Sequence, residues 1–163
     1  MKLVKPLKLF PVLLLLLVIS CSSLPKKTSV IPEGTGLLFF RIILEGPPRC
    51  KVRLLNERDE YIDLFPVRGD NVYGFYAKVD MTYRLSLVIF QDASFLIKGA
   101  KPLSRAQENR LNFAGSIRIV RKGSVFETHL LNSDTEYQKA LSLLESQNPL
   151  FSQNYESVNI SNF

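Results

Sequence analysis

The sequence predicts a mainly β domain, an antiparallel β-sandwich or small barrel with one C-terminal α-helix, preceded by an N-terminal leader and a flexible tether. Three observations carry this. Apolar residues recur at every second position through much of residues 37–131, the period of strands with one buried face. Turn-forming clusters interrupt that pattern at short intervals, as in sandwiches and small barrels. Only residues 134–147 change to helical spacing.

The leader comes first. Lys2, Lys5 and Lys8 form a positive region, and residues 12–19 (VLLLLLVI) form a short apolar core. That order is the secretory pattern. The core is far shorter than the roughly 20 residues a spanning helix needs, and Pro11 separates it from Leu9 and Phe10. It ends in Val18-Ile19-Ser20-Cys21. This run resembles the bacterial lipobox, with Val18 at the aliphatic position, Ile19 next and Ser20 as the small residue before the cysteine. The resemblance implies a bacterial lipoprotein: diacylglyceryl transfer to the Cys21 sulfur, cleavage between Ser20 and Cys21, and N-acylation of the new terminus. Cysteine suits that chemistry because its thiolate is a strong nucleophile near neutral pH. One acyl chain binds a membrane marginally, whereas two or three, at about 0.8 kcal/mol per buried CH₂, anchor it stably. The alternatives are an ordinary cleaved signal peptide and an uncleaved anchor. In many Gram-negative cells an Asp after the lipidated Cys retains a lipoprotein in the inner membrane. Ser22 stands there instead, so the expected location is the outer membrane.

Residues 22–36 (SSLPKKTSVIPEGTG) are rich in Ser, Pro, Thr and Gly and read as a tether, with Lys26 and Lys27 close to the anchor. The expected organisation is a signal peptide over 1–20, a lipidated N-terminus and tether over 21–36, the domain over 37–148 and a flexible tail over 149–163. Within the domain, residues 37–44 (LLFFRIIL) form a near-continuous apolar run, as in a strand covered on both faces. Cys50, Val52 and Leu54 alternate with Lys51 and Arg53, which points the Cys50 thiol inward. Ile62 and Leu64 alternate with Tyr61, Asp63 and Phe65; Tyr73, Phe75, Ala77 and Val79 share a face, as do Tyr83, Leu85, Leu87 and Ile89. Phe113, Ile117 and Ile119 line a later strand, and Lys122-Gly123 reads as the turn into 125–131. Turns are also expected at Gly46-Pro47-Pro48, at 56–60 and at 68–71, and 99–110 (GAKPLSRAQENR) reads as a long connection. Ser133 and Glu136 fit a capping box, and Tyr137, Ala140, Leu141 and Leu144 form the apolar stripe of a helix that stops before Pro149.

A small β-sandwich behind a lipobox, closed by a C-terminal helix, is similar to several families of bacterial lipoproteins of unknown function. The matching pieces are Tyr73-Gly74-Phe75, Tyr83-Arg84-Leu85 and Ala114-Gly115-Ser116-Ile117, which in such families fall on a hairpin and a later strand. The resemblance spans about half of the mature chain and carries over no catalytic or ligand residue.

Composition narrows the chemistry. Of the 21 Lys and Arg, three lie in the leader, leaving 18 against 15 acidic residues. That mild excess, without a basic stripe interleaved with aromatics, argues against a nucleic-acid partner. His129 is the single histidine, which excludes paired-His metal sites, and no cofactor motif occurs. Cys50 and His129 could form a nucleophile–base pair, but the alternation sends Cys50 inward and His129 outward. Glu57, Asp59 and Glu60 lack the spacing of a calcium loop and read as a solvated turn. Arg68-Gly69-Asp70 is the tripeptide that adhesive ligands present to integrins, here expected in a hairpin turn where Gly and Asp are ordinary formers. The expectation is therefore a non-enzymatic envelope lipoprotein, held to the membrane by acyl chains on Cys21, that binds a protein or glycan. The alternative is a small envelope enzyme or inhibitor.

Overall fold

The computed structural model describes Leu24, residues 30–97 and residues 100–161. Among them the chain forms β1 (Thr35–Arg49), β2 (Lys51–Asn56), β3 (Tyr61–Leu64), β4 (Val67–Lys78), β5 (Tyr83–Ile89), β6 (Ser94–Leu96), β7 (Leu111–Lys122), β8 (Val125–Leu131), α1 (Asp134–Gln147), α2 (Pro149–Asn154) and β9 (Ser157–Asn159). Two sheets result. The first runs β4-β1-β7-β8, with β9 also on β7, and the second runs β3-β2-β5-β6. Neither closes into a barrel, which resolves the sandwich-or-barrel expectation in favour of two packed sheets.

The first sheet is the middle of three layers. Leu38, Phe40, Ile42 and Leu44 of β1 join Val52, Leu54, Leu85 and Val88 in a core between the sheets. Leu37 and Phe39, on the opposite face, join Ala140, Leu144 and Phe151 in a second core beneath the helices. Burial on both faces is why 37–44 is apolar without alternation. α1 starts as the sequence predicts: the Ser133 hydroxyl accepts from the Glu136 N–H at 3.2 Å. The Glu136 carboxylate does not complete the box, because it turns to Arg41 instead.

Most strands pair antiparallel, but the centre of the first sheet is a parallel pair, β1 with β7. The long excursion through β2 to β6 supplies the crossover that parallel pairing needs. Between them, Ala114 and Gly115 bulge opposite Phe40, and Gly115 takes a positive φ of 122°.

Several boundaries differ from expectation. Gly46-Pro47-Pro48 is an irregularity at the end of β1, where its pairing with β4 jumps from Leu44 to Arg49 and the chain leaves for the second sheet. Gly46 is required there, since its φ is 105° and a Cβ would meet the Arg121 carbonyl oxygen at 2.1 Å. The turn expected at 68–71 is part of β4, with Gly69 opposite Leu44 and Asp70 opposite Ile43. The 15-residue β1 offers an edge long enough to hold that segment extended. The β7–β8 turn is at Gly123-Ser124, one residue beyond the expected position.

The tail expected to be flexible over 149–163 is ordered over its described residues. Phe151 is fully buried, and β9 adds in parallel to Leu111, Asn112 and Phe113. β8 covers β7 only from Ser116 onward, so the first residues of β7 have an open edge that the tail fills. Two residues of the tether segment are packed: Ile31 is buried, its N–H donating to the Tyr155 hydroxyl at 2.9 Å, and Leu24 is only 7% exposed in the helix-side core, while Val30, Pro32, Glu33 and Gly34 are exposed. Residues 1–23 and 25–29, which include the leader, lie outside the described residues.

Candidate functional site

Val18, Ile19, Ser20 and Cys21, the lipobox and attachment residues, lie outside the described residues. The other candidates can each be located.

Cys50 lies between β1 and β2, at the passage from one sheet to the other, and is buried in the inter-sheet core. Burial pushes its thiol up to about 12, so the thiolate is suppressed at neutral pH. His129 is exposed on β8, 3.5 Å from Glu127, which is exposed as well. The pair weighed from the sequence is thus kept apart: one partner is in the core and the other in solvent. Period-two alternation had indicated both directions.

The acidic turn folds on itself. Asn56 Oδ1 accepts from the N–H groups of Arg58 and Glu60, both at 2.9 Å, and its Nδ2 donates to Glu60 at 2.8 Å. Glu57 turns away to Thr82, whose hydroxyl donates to it at 2.6 Å and draws its carboxyl below the usual range. Among the described residues no three His, Cys, Asp or Glu side chains converge as a metal site would require.

Arg68-Gly69-Asp70 is exposed but engaged. Arg68 donates to the Gly46 carbonyl, and Asp70 takes both arms of Arg41, with Nε–Oδ1 at 2.8 Å. The tripeptide is a strand segment with a tied carboxylate, unlike the turn tip expected from the sequence. Arg41 is 8% exposed on the helix face of β1 and also pairs with Glu136 of α1. Its guanidinium is held even further into the charged state, first by the Asp70 hydrogen bond. Burial pushes the Glu136 carboxyl up, but Lys139, Ser116 and Arg41 together bring it below its ordinary value. A groove of about 600 Å³ runs over this cluster, lined by Arg41, Asp70, Gln138, Lys139 and Ser142 among others. Arg41 is ion-paired with both Asp70 and Glu136, and Glu136 also with Lys139. These pairs join β1, β4 and α1.

A second tie links the sheets at one end. Arg121 of β7 holds Asp92, between β5 and β6, through two bonds of 2.6 Å and lies 4.7 Å from the Phe90 ring centre. Bonds from Arg121 hold the Asp92 carboxyl at about 2.

The open surface is the outer face of the second sheet. Val52, Leu54, Leu64, Leu85 and Val88 point into the core, so the residues alternating with them point out. One row crosses the four strands as Leu96, Leu87, Arg53 and Asp63, and a neighbouring one as Arg84, Leu55 and Tyr61. Tyr61 is 61% exposed, Phe65 51% and Leu96 64%. Arg53 lies 4.0 Å from the centre of the Tyr61 ring, and Lys51 lies 5.6 Å from that of Phe65. Asp63 accepts from Arg53 at 2.8 and 3.0 Å and pairs with Lys51 at 3.1 Å, which draws its carboxyl below the usual range. Arg84 is exposed beside them. Aromatic rings, cations and aliphatic side chains thus share one solvent-facing sheet face. The sequence carried the signal in the outward set Tyr61, Asp63 and Phe65, yet strand pairing was needed to join it to Lys51, Arg53, Leu87 and Leu96.

No described helix is long and apolar enough to cross a membrane. Compared with protein-family models, curated proteins and solved structures, the chain matches none.

Proposed function

We propose that this chain is a lipid-anchored bacterial envelope lipoprotein whose β-sandwich is a non-catalytic binding module. The observation that carries the proposal is the leader: three lysines, a short apolar core and Val18-Ile19-Ser20-Cys21 at its end. Acyl chains on Cys21 hold the protein to the membrane, and Ser22 after it favours the outer one. The binding role is supported by where the reactive groups lie. The Cys50 thiol is buried, and the carboxylates of Asp63, Asp70, Asp92 and Glu136 are engaged by Arg or Lys. The outer face of the second sheet, by contrast, offers Tyr61, Phe65 and Leu96 to a protein or glycan.

Metabolic labelling with a tagged fatty acid tests the anchor. The wild-type protein takes the label, and Cys21→Ser abolishes it, leaving precursor or soluble protein. Label that persists on Cys21→Ser would place the attachment elsewhere. Membrane fractionation tests the location, and mature protein found only in the inner membrane would refute that part.

A further inference from the structure

We infer that the helix layer, with Leu24 and Ile31 packed on it, is the bilayer-facing side of the anchored domain, and that the outer face of the second sheet points away from the membrane. This rests on the proposed lipidation of Cys21 and adds a fixed orientation to it.

The argument is one of chain length. Leu24 follows Cys21 by three residues and is buried with Leu37, Phe39, Ala140, Leu144 and Phe151. Three residues span at most about 10 Å. The lipidated sulfur belongs at the membrane surface, so Leu24 lies within roughly that distance of it. Packed sheets are about 10 Å apart, and side chains stand off a sheet by several more. From the helix-side core to the outer face of the second sheet is therefore about 20 Å, through the first sheet and the inter-sheet core. If that outer face met the bilayer, Leu24 would sit twice as far from the surface as its link to Cys21 allows. In the opposite orientation only the roughly 10 Å thickness of a helix separates Leu24 from the surface, which the link can span.

The surface chemistry agrees. The exposed side of α1 carries Asp134, Thr135, Gln138, Lys139 and Glu145, polar groups suited to the hydrated headgroup zone. Val30 and Leu150 are single exposed apolar side chains on the same side, 66% and 46% exposed. The sequence also places Lys26 and Lys27 close behind the anchor, where anionic headgroups would attract them. Lipidation then holds the protein while Leu24 aims it, presenting Tyr61, Phe65 and Leu96 to the compartment.

The test uses the full, lipidated protein in phosphatidylcholine vesicles containing a headgroup-spin-labelled lipid. With Cys50→Ala removing the buried thiol, a fluorophore is placed through Leu150→Cys or Leu96→Cys. Intact mass and vesicle flotation are read first. A protein without acyl mass that does not float overturns the anchor, and this orientation with it. For acylated, floating protein the expected result is quenching severalfold stronger at position 150 than at 96. Equal quenching, or stronger quenching at 96, overturns the orientation alone. Leu24→Asp, with folding checked by circular dichroism, should release the hold at Leu24. The link to the domain then grows to the ten residues between Cys21 and Ile31, about 35 Å, and the contrast should collapse toward equality. An unchanged contrast would show that Leu24 does not set the orientation.

Discussion

The two sheets are built from similar strands but meet different surroundings. Over residues 37–42 and 111–117, β1 and β7 of the first sheet are covered on one side by the second sheet and on the other by α1 and α2. The strands of the second sheet bury one face and leave the other to water, covered only by pairs such as Arg53 over Tyr61 and Lys51 over Phe65. Even the charges differ in kind. Arg41, in the doubly covered sheet, is almost fully enclosed by two carboxylates, whereas Arg53 shares Asp63 with Lys51 at the surface. The first sheet therefore contributes to both cores, whereas the outer residues of the second are not held by packing.

The sharpest way to break this contrast is in the doubly covered sheet. Phe39 has no exposed surface and its ring centre lies 5.6 Å from that of Phe113. Phe39→Ala leaves a cavity in the helix-side core and should cost about 3–5 kcal/mol. Urea unfolding would read this as a fall in midpoint; a loss below 1 kcal/mol would mean that the helices do not seal that face.

Arg41→Ala is expected to come next. It leaves the largely enclosed Glu136 without its guanidinium and removes the tie between β4 and α1. Breaking a buried pair from one side costs about 3–5 kcal/mol; Asp70 is partly hydrated, so about 2–3 is expected here. Arg41→Met, which keeps volume but not charge, should recover little, because Asp70 and Glu136 both lose the guanidinium and Glu136 keeps only the more exposed Lys139. Full recovery by Met would reduce Arg41 to packing alone.

Cys50 probes the interior between the sheets. At neutral pH Cys50→Ala should cost roughly 1 kcal/mol of packing. Its pH dependence is more telling. In the folded protein the thiol keeps its proton up to about 12, against an ordinary value of 9.0. The folded state thus binds more protons than the unfolded one between those values. This contribution is fully present below about pH 9 and is lost as pH rises toward 12. Tyr73 and Tyr83, raised chiefly by burial, add to the same alkaline loss. Cys50→Ala should flatten part of it, and an identical alkaline profile would place the thiol in water. Rapid alkylation of native Cys50 near neutral pH would contradict burial directly.

The same contrast explains what the sequence let one read. The apolar run at 37–44 announces a strand covered twice, and the capped stripe of 134–147 announces its helix, because each is a local periodicity. The alternation of Cys50 with Lys51 placed the thiol correctly for the same reason. What escaped depends on pairing partners. The segment 68–71 has turn-forming residues and becomes strand only because β1 runs beside it. The tail looks polar and loose, yet Phe151 and an unfilled edge on β7 order it. β6 is three residues long and carries no period of its own. The outer face of the second sheet was legible strand by strand, but its continuity exists only once β3, β2, β5 and β6 lie side by side.

The smallest expected effect lies on that open face, and it separates recognition from stability. Leu96 is 64% exposed on β6, at the edge of the second sheet and opposite Leu87 in the register. Most of its surface is already hydrated in the folded state, so replacing it by Ser removes little apolar burial. Surface changes of this kind stay within about 0.5 kcal/mol. Leu96→Ser should therefore unfold at nearly the wild-type urea midpoint with an unchanged slope. If the face is a binding surface, the same change acts on association, where a desolvated apolar anchor carries far more weight than it does in the free fold. Phe39→Ala and Leu96→Ser thus form a matched pair, one altering stability and the other leaving it alone. A loss above 1 kcal/mol for Leu96→Ser would show that the outer face is covered in the free protein. The second sheet would then be sealed on both sides like the first.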